Sequence, residues 1–167
     1  MINLLSVAAV TSAALSIQTS KTPANMKFTQ IDTPGYSFEI PEGWNFGKET
    51  PWGARDITPK TGQGKIGAMT AGPTTASWDD LYQTSLYFIQ REEKGVASAF
   101  KTGKTKQGFE CMTFNVTNGD GFANRRYTLL KDKAGKALAL SVKIPSREQE
   151  SEYAAIFKRM VDSAKIK

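Results

Sequence analysis

The stretch FECMTFNVTNGDGFANRRYTLLKDKAGKALALSVKI, Phe109 to Ile144, reads as three consecutive antiparallel strands. NGDG and KAG separate its apolar runs, and Asn, Asp and Gly tolerate the positive φ that tight hairpins require. A loop centred on Gly119-Asp120 predicts Val116 opposite Ala123, Phe114 opposite Arg125 and Met112 opposite Tyr127. Side chains alternate between faces, so Met112, Phe114, Val116, Tyr127 and Leu129 share one, continued by Ala137, Ala139 and Ser141. With Gly135 as the bulge of a three-residue hairpin, Leu138 lies beside Leu130. The second face then carries Cys111, Leu130, Leu138, Leu140, Val142 and Ile144. Both faces are partly apolar, which predicts a sheet covered on both sides.

The flanks supply the cover. Tyr36, Phe38 and Ile40 alternate with polar residues, and Pro41-Glu42-Gly43 turns the chain toward a strand beginning at Trp44 and Phe46. Ala54–Pro59 and Lys65–Ala71 read as further strands, and Val96–Thr105 as another leading into the meander. SWDDLYQTSLYFIQREEKG has the marks of a helix capped by Ser77, with Asp79 and Asp80 in its first turn and a stripe of Trp78, Leu81, Tyr82, Ser85 and Ile89. A last helix is predicted with Ser146 as cap, Gln149 completing a capping box, and an apolar face of Tyr153, Ile156, Phe157, Met160 and Val161. The fold class is α+β: an antiparallel sheet with a helix on each face, an α/β/α sandwich.

Composition sets limits. The chain of 167 residues carries a net charge of +6, with 40% hydrophobic and 23% charged residues, as expected of one globular domain. Lys101, Lys104, Lys106, Lys131, Lys133 and Lys136 supply much of the positive charge, near strand ends and turns. They serve solubility and edge protection, or attract an acidic partner. No nucleic-acid-binding motif accompanies them. The chain has no histidine, which excludes Ser-His-Asp and Cys-His catalysis and His-liganded metal sites. Its one cysteine, Cys111, sits mid-strand and reads as an inert thiol. Asp79-Asp80 and Glu148 to Glu152 are explained as helix-terminal charges, and NGDG lacks the ligand count of a calcium loop. No catalytic residue, metal ligand or cofactor site is expected.

Residues 1–16 form an apolar run, Leu4 to Leu15, with small residues at Ala14 and Ser16. They read as a signal peptide, too short to span a bilayer and lacking the usual basic start. Residues 17–34 read as a linker with room for a short strand at Met26–Gln30, and 35–167 as the domain. Export makes the expected location periplasmic or secreted, with no membrane span.

GYSFEIPEGW (Gly35 to Trp44), the helix beginning SWDDLY, the meander and the final helix IFKRMVDSAKI together resemble the PsbP-like superfamily. The resemblance covers Gly35 to Lys167 and implies an antiparallel sheet between helices. It also implies a binding or assembly module without shared catalytic residues, so no catalytic position is carried over.

Two clusters are left as candidate binding residues. Trp44 and Trp52 flank the loop that includes Gly47 to Pro51, and large aromatics on a loop serve either as a partner surface or as a cap on the core. Arg125 and Arg126 put one guanidinium on each face near a hairpin end, to anchor an external carboxylate or to pair with an internal acid. The expected function is an exported, non-catalytic binding or accessory module for a protein or anionic partner. Two alternatives stand beside it: a small-ligand carrier with a pocket between sheet and helix, and a hydrolase using carboxylates alone. An apolar cavity would favour the carrier; converging acids would favour the hydrolase.

Overall fold

A computed structural model describes residues 26–167, apart from 52, 63, 72–73 and 93–94. The predicted signal peptide, the first part of the linker and Trp52 lie outside the described residues. Strands β1 (Phe28–Asp32) and β2 (Tyr36–Pro41) pair antiparallel, and β11 (Lys165–Ile166) joins the other edge of β2 as a small sheet. The large sheet runs β3 (Asn45–Phe46), β4 (Ala54–Thr58), β5 (Lys65–Ala71), β10 (Ala137–Lys143), β9 (Arg125–Lys131) and β8 (Glu110–Thr117). Two short strands, β6 (Val96–Ala97) and β7 (Lys101–Lys104), pair in turn with β8. The helices are α1 (Trp78–Glu92) and α2 (Glu150–Ser163).

The predicted faces are those observed. Met112, Phe114, Val116 and Leu129 cluster with Ile89, Trp78, Leu81 and Tyr82 of α1. Leu130, Leu138, Leu140, Val142 and Ile144 cluster instead with Tyr153, Ile156, Phe157 and Met160 of α2. That second cluster also holds Tyr36, Phe38 and Ile40 of β2. One face of the large sheet is therefore shared between α2 and the small sheet, a layer the sequence reading did not anticipate. On the other side Ile89 is, among the described side chains of α1, the one that is fully buried, while Tyr87 and Phe88 are 60% and 55% exposed.

Several expectations need correction. The register of β8 on β9 is displaced by two residues: Phe114 pairs with Tyr127 and Val116 with Arg125. Gly121, at φ +75°, closes a three-residue turn from Asn118, and the irregular segment after it tucks Phe122 into the core at 6% exposure. A shift of two preserves the faces, which is why the core assignment survived. Gly135, at φ +80°, does close the next hairpin, and Leu138 pairs with Leu130. The short strand expected at Met26–Gln30 is found at Phe28–Asp32, and its Phe28 and Ile31 pack on the core. Ser77 and Asp80 form the reciprocal cap of α1 (Asp80 N to Ser77 Oγ 3.1 Å, Ser77 N to Asp80 Oδ2 3.2 Å). Ser146 makes no such cap: a 3₁₀ turn, Arg147–Gln149, precedes α2. The Val96–Thr105 strand is broken in two, with Ser98 bridging to Asn115 (Ser98 N to Asn115 O 2.8 Å).

Candidate functional site

The register sorts the cations to opposite ends of the large sheet. Glu110 pairs with Lys131, so the turn after β7 and the turn after β9 lie side by side. That end gathers Lys104, Lys106, Lys131, Lys133 and Lys136, against Glu110, Asp132 and Asp162. Lys131 is held over the Trp78 ring at 4.1 Å and donates to Ala76 O at 3.1 Å. Lys136 donates to Lys167 O at 2.8 Å, and Lys106 lies 3.2 Å from Asp162. Lys104 and Lys133 are exposed and form no ion pair among the described residues. Lysines scattered over 33 positions of sequence (104 to 136) thus share one surface because two hairpins turn at the same level. That signal was present in the meander, but it needed the correct pairing of β7 with β8.

Of the residues singled out in the sequence, Trp44, Arg125 and Arg126 lie at the other end, about 20 Å away along a seven-residue strand, and Trp52 is outside the described residues. Trp44 is half-buried, its ring 5.9 Å from that of Tyr153, on the first turn of α2. Arg126 Nη2 donates to Glu150 Oε1 at 2.6 Å, also on that turn. Trp44 and Arg126 are therefore brought to one place by α2, and each has an internal neighbour. Arg125 points to the opposite face, where Nη1 lies 3.5 Å from Tyr127 Oη, whose ring stacks on Phe114 at 4.9 Å. The paired arginines do not converge, as alternation requires. The Arg126 Nε is buried without an acceptor.

No protein-family model matches the chain, and no curated protein sequence matches it. The solution structure of cyanobacterial PsbP (CyanoP) from Synechocystis sp. PCC 6803 superposes with a TM-score of 0.61. It has 13% sequence identity, over 84% of this chain and 92% of that one. This chain has the PsbP-like fold. A crystal structure from Bacteroides thetaiotaomicron VPI-5482 also matches, at a TM-score of 0.45 and 11% identity, over 83% of this chain and 48% of that one.

The domain carries a cleft of about 320 Å³ lined by Glu39, Lys106, Arg159, Asp162 and Ser163. Its charges are matched internally. Arg159 pairs with Glu39, Asp162 accepts from Lys158 at 2.6 Å, and Ser163 Oγ accepts from Glu39 N at 2.9 Å. Burial pushes the Asp162 carboxyl up, but hydrogen bonds from Lys158 and Lys106 and their charges outweigh it and leave the carboxyl below its usual range. A carboxylate held ionised in this way is no proton donor at neutral pH. The cleft is not the apolar cavity a carrier would need. At Cys111, burial pushes the thiol up against a weaker pull from the Gly103 backbone, which disfavours the thiolate that a nucleophile needs. Among the described residues no helix is long and apolar enough to cross a membrane, and no group of three or more acidic or cysteine side chains is placed to hold a metal.

Asp162 gives a pH test. Because its native pKa is depressed, its stabilising contribution is present above the unfolded value of about 3.9 and is lost as pH falls through the native value. Asp162→Asn is expected to be less stable than the parent near pH 7, with the gap closing on acidification below about pH 4. Urea midpoints of both proteins across that range check it; a gap that is constant with pH would show the ion pairs to be inert.

Proposed function

We propose that this chain is a non-catalytic accessory module that recognises a protein partner through an acidic or anionic surface. The supporting observation is the collection of lysines at one end of the large sheet, with Lys104 and Lys133 unpaired among the described residues. Like charges held together at a surface raise the local potential, which steers and orients an oppositely charged partner. Lys104→Glu with Lys133→Glu is expected to abolish capture of that partner from native extract and to leave the thermal midpoint unchanged. Capture by the parent protein should weaken as salt rises, since exposed charges are screened over about 10 Å at 0.1 M. Capture indifferent to both salt and charge reversal would reject the reading.

A second reading puts the partner at Trp44 and Arg126, with Trp52 and, on the opposite face, Arg125 as further candidates, and is favoured by the Arg126 Nε that lacks an acceptor. The same assay separates the two surfaces. If the aromatic end carries the partner, Trp52→Ala abolishes capture at an unchanged midpoint and the lysine reversal does not. A destabilised Trp52→Ala protein would instead assign that residue to packing.

The reading includes export, to the periplasm or outside the cell, on the strength of the apolar run Leu4 to Leu15. The mature protein is expected to begin near Ile17. Intact mass of protein from the native host checks this, and a product that still starts at Met1 overturns it.

A further inference from the structure

We infer that the free edge of β7 is a strand-addition site for an extended acidic segment of a partner protein. The inference rests on the anionic-partner reading above and specifies how the partner is held.

Among the described residues β7 pairs on one side only, with β8, and all four of its residues are exposed. Thr105 N donates to Phe109 O at 2.9 Å, so that pair is hydrogen-bonded. In an antiparallel ladder hydrogen-bonded pairs alternate with non-bonded ones. Gly103–Cys111 and Lys101–Thr113 are then bonded pairs, and the N–H and C=O of Thr102 and Lys104 point away from the sheet. These groups are a ready template for another strand.

The side chains choose the occupant. Lys101 is paired with Thr113, on the α2 side of the sheet, and Lys104 with Glu110, on the α1 side. An added strand would therefore meet an ammonium group on each face, with Lys106 just beyond the strand end. Between them Gly103 leaves the α2 side open, since a Cβ there would come no closer than 3.8 Å to Cys111 Sγ. A second copy of this chain is disfavoured, because pairing two such edges crowds the lysines of both copies along one seam. A strand with acids on both faces is favoured by the same charges. Consecutive Glu residues meet that requirement, because neighbours along a strand point to opposite faces.

The probe is a short capped peptide in which Glu-Glu pairs alternate with Val-Thr pairs, titrated by fluorescence anisotropy at low salt. The control peptide has Pro at each Val, which keeps the charge and removes ladder donors. The parent protein is expected to bind the first peptide about tenfold or more tightly than the second. Thr102→Pro removes one outward N–H from an edge strand, where Pro is tolerated. It should weaken the first peptide about tenfold with little change in thermal midpoint. If Thr102→Pro does not fold, the comparison of the two peptides on the parent protein decides alone. Equal binding of both peptides, or no binding of either, overturns strand addition. Equal binding that Lys101→Glu with Lys104→Glu abolishes would leave the anionic-partner reading standing while strand addition fails.

Discussion

Phe157→Ala is expected to remove about 3–5 kcal/mol of stability, the usual cost of deleting a buried aromatic side chain. Phe157 is 6% exposed and belongs to the cluster that joins α2 to β2 and to the inner strands of the large sheet. The cluster draws its side chains from β2, several strands of the large sheet and α2, so the space left by the ring is not refilled by the shift of one element. The loss is a large part of the 5–15 kcal/mol that keeps a typical domain folded. The thermal midpoint should fall by roughly 10 °C or more. Calorimetry or a urea midpoint checks it, and an unchanged midpoint would mean that α2 is peripheral to the core.

Gly64→Ala is the second large effect, and its cause is a specific collision. A Cβ at Gly64 would overlap the ring and hydroxyl of Tyr153. Tyr153 is 4% exposed, and the Trp44 ring leans on it at 5.9 Å, so it has little room to yield. Burial pushes the Tyr153 hydroxyl up, the Glu152 charge adds to this, and a hydrogen bond with the Gly64 backbone pulls the other way. Overpacking at a site of this kind costs typically 1–3 kcal/mol, occasionally more. In a Tyr153→Ala background the obstacle is gone, and Gly64→Ala should become nearly neutral. A double-mutant cycle measures that coupling. If Gly64→Ala costs the same with and without Tyr153, the collision is not the cause.

The fold was legible where local pattern and tertiary demand coincide. Alternation placed Met112, Phe114 and Val116 on one face and Leu138, Leu140 and Val142 on the other, and the structure keeps both sets. Ser77 with Asp80 announced the start of α1, and both members of the cap are made. The register of β8 on β9 was not legible, because Gly119, Asp120 and Gly121 admit several turns and only the burial of Phe122 selects one. The small sheet escaped for a different reason. β11 is two residues long, and no periodicity can be read from a pair. At the candidate sites, the internal partner of Arg126 lies 24 residues away at Glu150, a distance at which sequence carries no pairing signal. The lysine cluster was visible as composition, but became a surface only once two hairpins were known to end together.

The small sheet ties the beginning of the domain to its far end. Glu39 N donates to Ser163 Oγ across 124 residues, and Lys167 reaches Asp32 across 135. During synthesis, β1 and β2 are therefore made long before the helix and strand that cover and complete them. Until residues near 150 to 166 have emerged, Tyr36, Phe38 and Ile40 lack the side chains they bury against in α2. Contacts this distant in sequence form late, since loop closure must precede any gain from them. A nascent chain halted before α2 would present an aromatic strand pair to its surroundings. It would be a substrate for chaperones and proteases rather than a smaller folded protein.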